Sequence, residues 1–335
     1  MHAHAATHLR EQPAKAGADI LLDSYLAGLQ ESQVIIGFIT LQLTVAKAIG
    51  AINDRQLRIR NAGLGGGRTL LRLARLRRTI TRYAAGYRTV SRMIQAGLAE
   101  DWDGGPTEAG LTYIRSQFDR AVAIDPVASV AYGTLGSQER LDHDSDEALL
   151  WLIQAGLVHR GSDVLDFGCG IGRLAERLSP SCRSVQGVDI SRGMVEEARR
   201  RCRPCANVAI RQIDGGDLTP FSDASFSLIA ACDVFPYVVQ IGMPFAQAML
   251  AECLRVLRPG GHLAIIAFSY RGDTADRRDL PDLATATGFQ VLDGGAHEQS
   301  IGGCRFLLQR PMTNPTSSNI HHFPIGERRA HGQQP

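Results

Sequence analysis

The segment Val164-Leu-Asp-Phe-Gly168-Cys-Gly170-Ile-Gly172-Arg-Leu174 constrains the fold more than any other stretch of the chain. A buried-strand pattern, Val164 to Phe167, runs directly into three glycines at alternate positions, and a helical pattern follows. Glycine is needed there because the backbone must turn sharply and let a ligand approach closely. Taken alone, a GxGxG turn serves many ligands, and a dinucleotide oxidoreductase would use a similar one. The spacing here differs from the dinucleotide fingerprint GxGxxG. Asp166, two residues before the first glycine, would repel a pyrophosphate, whereas a carboxylate there can hold hydroxyls or an ammonium group.

Short apolar runs alternate with amphipathic helices through the rest of the C-terminal half. Val185 to Val188, Val208 to Gln212, Phe226 to Ala231 and His262 to Phe268 read as strands. Leu174 to Leu178, Met194 to Cys202 and Ala246 to Leu257 read as the helices between them. Such alternation predicts a parallel sheet covered on both faces, because each parallel pair requires a crossover. Phe289 to Leu292 and Cys304 to Gln309 fit an antiparallel closing pair. Two charge-free stretches, Ser32 to Ala46 and Val234 to Ala251, fall short of the ~20 apolar residues of a bilayer-spanning helix. The first reads as a buried helix. The second, broken by Pro236, Gly242 and Pro244, reads as a loop entering a helix. A hydrophobic share of 44% and a charged share of 21% over 335 residues suit a soluble globular protein with ample core.

Polar residues stand where the predicted strands end. Asp189, followed by Ile190, closes the second strand in Val185-Gln-Gly-Val-Asp-Ile-Ser191, where a carboxylate can accept bonds from both ribose hydroxyls. Asp214-Gly-Gly-Asp217-Leu218 follows the third strand, and Asp217 is also a plain turn residue in type. Asp233 follows the fourth, and Arg258-Pro-Gly-Gly261 announces the fifth. In order and spacing these segments, with Phe221-Ser-Asp-Ala-Ser-Phe226, resemble the class I S-adenosylmethionine-dependent methyltransferases of the small-molecule and lipid-modifying type. The resemblance covers residues 115 to 310 and implies a Rossmann-like α/β fold, a seven-stranded sheet ordered 3-2-1-4-5-7-6 with the last strand antiparallel. By the same resemblance Asp166 with Gly168, Gly170 and Gly172 would hold the methionine moiety of S-adenosyl-L-methionine. Asp189 would hold the ribose, and Asp217 with Leu218 the adenine; Cys169, Ile190 and Asp233 complete the expected cofactor set. Phe118-Asp-Arg-Ala121 is similar to the helix that folds over the cofactor in such enzymes.

The acceptor is not legible. Methyl transfer needs a general base only when the acceptor carries a proton to lose. The histidine often found after the fourth strand is replaced by Asp233-Val-Phe-Pro-Tyr237. Tyr237, His297, His143 and Tyr132 are candidates, each with a packing or surface explanation of its own, and no catalytic residue is assigned. A small-molecule or lipid acceptor is the expectation. A nucleic-acid or protein acceptor, and a non-catalytic cofactor-binding module, are the alternatives.

Residues 1–110 are expected to form a helical region that covers substrate, dimerises or faces a membrane. Residues 111–310 would form the methyltransferase domain and 311–335 a disordered tail. Predicted helices run Ile20 to Gln30, Gln33 to Ala51 and Thr69 to Ala96, with a glycine-rich hinge before the third. Residues 55 to 92 hold eleven Arg and no Asp or Glu, although the net charge of the whole chain is only +2. This basic amphipathic helix suits an anionic membrane surface, a nucleic acid or solvent. Few aromatics interleave with the Arg residues, which counts against nucleic acid. Cys202 and Cys205 form a CxxC without a partner pair, and His321-His322 lacks a third ligand, so no metal site is expected. Seven scattered Cys and an N-terminus without an apolar core suggest a reducing cytoplasm.

Overall fold

In the computed structural model of the protein the described residues are 44–62, 67–98, 102, 104–131, 134–268, 273–297 and 303–312, with Leu22 and Leu26 besides. The expected tail from residue 313 onward, Tyr132, the centre of the glycine-rich hinge and residues 33–43 of the second predicted helix lie outside this set.

The sheet has seven strands in the order β3-β2-β1-β4-β5-β7-β6. They are β1 (Asp163–Phe167), β2 (Ser184–Asp189), β3 (Val208–Gln212), β4 (Phe226–Cys232), β5 (Leu257–Phe268), β6 (Gln290–His297) and β7 (Cys304–Gln309). The first five pair in parallel, and β7 lies antiparallel to both β5 and β6. This is the expected arrangement, and its physical basis is visible in the side chains. Successive residues of a strand face opposite sides. Leu165, Phe167, Ile229, Ala231, Leu263 and Ile265 therefore pack in one core layer. Val164, Leu228, Ala230, Ala264 and Ile266 pack in the other. β1 is buried along its whole length, as a strand with helices on both faces must be.

Helices α1 (Val45–Asn61), α2 (Gly67–Arg82), α3 (Ala84–Gln95), α4 (Thr107–Ile124) and α5 (Gln138–Gln154) precede the sheet. Within it run α6 (Arg173–Leu178), α7 (Arg192–Arg201), α8 (Phe235–Ile241), α9 (Met243–Val256) and α10 (Asp273–Thr287). Four expectations need correction. The helix predicted over Gln33 to Ala51 starts at Val45, where the Thr44 hydroxyl accepts from the Lys47 N–H, and it continues to Asn61. The single helix over Thr69 to Ala96 is two, broken at Tyr83, whose backbone leaves the helical region while the apolar spacing carries on. The loop predicted after β4 is the helix α8: Pro236 lies in its first turn, where the missing N–H costs nothing. The helix predicted to end at Leu257 stops one residue earlier, and Leu257 through Gly261 belong to β5.

The division expected at residue 110 falls inside α4, and Leu111 and Ile114 of that helix pack in the sheet's core. α1 to α3 have their own core of Ala48, Ile52, Leu73, Leu76, Ile80 and Tyr87, closed by Leu135 from the segment before α5. The junction is tight. A Cβ on Gly86 would lie 2.2 Å from the Leu135 carbonyl oxygen, so only glycine allows α3 to approach that backbone.

Candidate functional site

The order of strands reverses between β1 and β4, and the carboxyl ends there leave the crevice in which α/β folds bind ligands. The glycine turn fills the start of this crevice. Gly168, Gly170 and Gly172 have φ of 70°, 51° and 78°, the left-handed region that disfavours any side chain. Their surroundings differ. A Cβ on Gly168 would meet Val234 Cγ2 at 2.3 Å and one on Gly172 would meet Ala198 at 3.0 Å, so both are packed from behind. A Cβ on Gly170 would touch only Val130 Cγ1, at 3.4 Å. Gly170 is the open face of the turn. Cys169 is buried, its N–H donates to the Val188 carbonyl at 2.9 Å, and burial holds its thiol well above the usual pKa. It fixes the turn to β2.

Asp189 ends β2 beside this turn. Its Oδ2 accepts from the Gly170 N–H at 2.9 Å and its Oδ1 from the Ser191 N–H at 2.8 Å. A carboxylate has about four acceptor positions, so two bonds leave room for hydroxyls. Desolvation raises its pKa to about 6 against those hydrogen bonds. Ile190, partly buried, packs on the same core layer as β2. Asp166 is the most constrained group. It is fully enclosed, accepts from the Ala175 backbone N–H, and leaves its Oδ2 without any hydrogen-bond partner. Desolvation pushes its pKa up to about 7, only partly opposed by the Arg173 charge. Arg173 itself is held elsewhere, on Ser145 Oγ at 2.6 Å and the Leu141 carbonyl at 3.2 Å. An enclosed carboxylate with an empty acceptor position suits a cation or a hydrogen-bond donor.

The remaining predicted residues take different places. Asp217 is exposed on the loop after β3, and its Oδ1 accepts from the Thr219 N–H and hydroxyl, which lowers its pKa. Its carboxylate thus caps its own turn with one oxygen. Leu218 is fully buried and its N–H donates to Glu252 Oε2 at 2.9 Å. Asp233, at φ 58°, stands open to solvent at the end of β4, yet neighbouring protein desolvates it enough to raise its pKa. Tyr237 on α8 packs edge-on against Phe118, ring centroids 5.0 Å apart, next to this strand end. His143 lies exposed on α5 and pairs with Glu147 at 3.3 Å. Tyr132 and the His297 side chain lie outside the described residues.

Two contributors escaped the sequence reading. Asp119 on α4 accepts from Ser191 Oγ at 2.6 Å and the Gly193 N–H at 3.0 Å, which pins α4 over the end of β2. Ser191 meanwhile caps α7 through the Met194 N–H. Val130, from the one-turn segment Ala128–Val130, stands opposite Gly170. The motif Phe118-Asp-Arg-Ala121 pointed to the helix, but nothing in it names a partner 72 residues away. Among the described residues no group of three His, Cys, Asp or Glu side chains is placed to hold a metal, and none of the helices is long and apolar enough to cross a membrane.

Comparison with known proteins addresses the fold and the turn together. Residues 165–265 match the sequence family described as a methyltransferase domain. Demethylmenaquinone methyltransferase of Tropheryma whipplei (strain Twist) is 37% identical over 113 residues, 34% of this chain and 44% of that protein. Methyltransferase GfsG of Streptomyces halstedii is 38% identical over 159 residues, 46% of this chain and 53% of its own. Ubiquinone biosynthesis O-methyltransferase of Methylococcus capsulatus is 28% identical over 120 residues, 36% and 48% of the two chains. The chain spans about half the length of the curated relatives it matches. Among solved structures, Haemonchus contortus phosphoethanolamine N-methyltransferase 1 superposes with a TM-score of 0.50 at 15% identity, covering 64% of this chain and 51% of that one. That likeness is one of fold.

Proposed function

We propose that this chain, whose sheet domain is a class I S-adenosylmethionine-dependent methyltransferase domain, transfers a methyl group to a small-molecule or lipid acceptor. The observation that carries the reading is Asp166. A carboxylate enclosed beside a left-handed glycine turn, with one oxygen unpartnered, fits the ammonium group of an amino-acid moiety. Gly170 supports it, because the open side of that residue is where a Cβ would intrude on a ligand lying along the turn.

In this reading Asp166 faces the cationic end of S-adenosylmethionine and the remaining acceptor positions of Asp189 face the ribose hydroxyls. Gly168, Cys169 and Gly172 hold the turn in the shape that presents Gly170. Ile190 flanks the adenine, with the fully buried Leu218 behind it in the core. Asp217, whose hydrogen bonds to Thr219 use Oδ1, offers Oδ2 to its amine. Bound S-adenosylmethionine supplies a methyl group on a sulfonium, already activated for in-line displacement. The protein's part is then alignment and exclusion of water, and alignment alone can account for ~7–11 kcal/mol of a barrier. Asp233 completes the cofactor set at the end of β4, and Tyr237 beside it borders the acceptor's side of the crevice. Relatives named for quinone methylation favour a small-molecule acceptor, and seven free thiols suit a reducing cytoplasm.

Calorimetric titration with S-adenosylmethionine and, separately, with NAD tests the reading. Micromolar binding of the first with none of the second is expected. Binding of NAD, or of neither, contradicts it.

A further inference from the structure

The helical region carries a feature that methyl transfer does not use. Between residues 45 and 98 the chain has eleven Arg and one Lys against a single acid, Asp54. The inner faces of α2 and α3 are spent on the core through Leu73, Leu76, Ile80, Tyr87 and Val90, so most of their Arg residues are displayed outward, whereas Arg72 is partly buried and donates to the Leu26 carbonyl. On α2, Leu71, Arg75, Arg78 and Arg82 follow one another at intervals of four, three and four, which sets them on one face. All four are exposed. Leu71 is 68% exposed in the middle of this charge, and Leu57 on α1 is 57% exposed. Spacing puts Leu57 on the same face as Asn53, whose Oδ1 accepts from Arg77 at 3.0 Å, so the exposed leucines belong to one helical hairpin. Arg88 and Arg92 continue the exposed charge along α3.

We propose that this outer face docks on an anionic lipid surface, with Arg side chains at the headgroups and the two leucines entering the interface. Apolar side chains interspersed with Arg suit a boundary between headgroup and hydrocarbon. They do nothing for a nucleic-acid backbone. The aromatics that could stack on bases are committed elsewhere: Tyr87 is fully buried, and the Tyr83 ring lies under the Arg82 and Arg140 guanidinium groups at 5.3 and 5.7 Å. Self-association through this face would set Arg against Arg across a two-fold axis. The face is also joined to the sheet domain. Gly86 abuts the Leu135 backbone, and Arg82 adds an exposed two-pronged bond with Glu139 of α5. Docking therefore brings the crevice to the membrane along with the helices. The inference stands on the helices alone and does not depend on the identity of the cofactor.

The test is co-sedimentation of the full chain with vesicles of phosphatidylcholine alone and of phosphatidylcholine with phosphatidylglycerol. Binding to the anionic vesicles at 0.1 M salt is expected, at least ten-fold weaker at 0.5 M because screening shortens the reach of the charges. The pair R75Q/R78Q weakens it about thirty-fold, since each Arg near such a surface contributes roughly 1 kcal/mol. L71Q weakens it roughly ten-fold with the salt dependence unchanged. Equal binding to both vesicle types, or none to either, overturns the proposal. So does an unaffected L71Q whose binding to vesicles is abolished by duplex DNA, which would make the face a polyanion site. Titration with S-adenosylmethionine on the same preparation reports the crevice separately, so failure of one reading is distinguishable from failure of the other.

Discussion

Strand β1 carries an aspartate near each end, Asp163 and Asp166, under opposite conditions. Asp163, at its amino end, accepts from Arg183, from Arg258 Nη2 at 2.6 Å and from Ser184 Oγ at 2.7 Å, and the Arg183 bond holds its pKa well below the usual carboxylate range. Asp166, three residues on, is more deeply enclosed, has no bonded cation, keeps one oxygen unpartnered, and titrates near 7 because of desolvation. The amino end of the sheet is electrostatically finished and serves stability. The carboxyl end is left unfinished, and a buried carboxylate with one oxygen unpartnered is a cost that folding alone gives no reason to keep. The carboxyl end also carries the turn at residues 168–172, whose three glycines all have positive φ, and Asp233 at φ 58°.

The comparison can be broken at several points. The largest effect is expected for Gly168→Val, which combines a β-branched residue at φ 70° with a 2.3 Å clash on Val234. Destabilisation of about 3 kcal/mol or more should follow by chemical denaturation. Gly170→Ala, with the same strain and no clash, should cost about 1 kcal/mol while still impairing cofactor binding. Equal stability losses in the two would mean that the turn has no open face.

Asp163→Ala should cost about 2 kcal/mol, less than a deeply buried pair would, because Arg183 is 58% exposed and can turn to water. It should leave cofactor affinity unchanged, and a loss of binding would deny that the two ends have separate duties. Asp189→Ala should do the reverse. Loss of charge-assisted hydrogen bonds, roughly 1.5–3 kcal/mol, predicts ten- to hundred-fold weaker S-adenosylmethionine binding by calorimetry. The smallest effect is expected for Arg82→Ala, where both partners of the ion pair are 64% exposed. A change below about 1 kcal/mol is predicted from thermal melts, and a larger one would show that the helices depend on this tether.

How much of this was legible follows from what each element depends on. The central strands β1 and β4 were readable because burial on both faces makes them short apolar runs, and the turn because glycine adopts positive φ at the lowest cost. α8 was hidden by Pro236, which is compatible with a first helical turn but looks like a breaker when the start of the helix is unknown. α10 gave no signal, since Pro281 and the charged run Asp276-Arg-Arg-Asp279 mask its apolar face. The break at Tyr83 leaves the apolar spacing intact. Within the crevice, Asp166 and Asp189 could be placed from their spacing to the strands. The role of Asp119 depends on α4 crossing over the end of β2, and the partial engagement of Asp217 depends on Thr219 turning back on it. These are tertiary facts.

The central claim, that Asp166 is kept buried with one carboxyl oxygen unpartnered for a cationic ligand, is tested most directly by melting Asp166→Asn and the unsubstituted protein with and without S-adenosylmethionine between pH 4 and 8. A carboxyl whose folded pKa is raised from 3.8 to about 7 makes the folded state bind more protons than the unfolded one across that interval. Its contribution therefore turns unfavourable as pH rises, by as much as roughly 4 kcal/mol at pH 8. Asparagine keeps the bond from Ala175 and removes the charge. The variant should melt above the unsubstituted protein at pH 8, lose that advantage towards pH 4, and gain less from S-adenosylmethionine. A variant that melts lower at pH 8, or that gains as much from the ligand, would contradict the account.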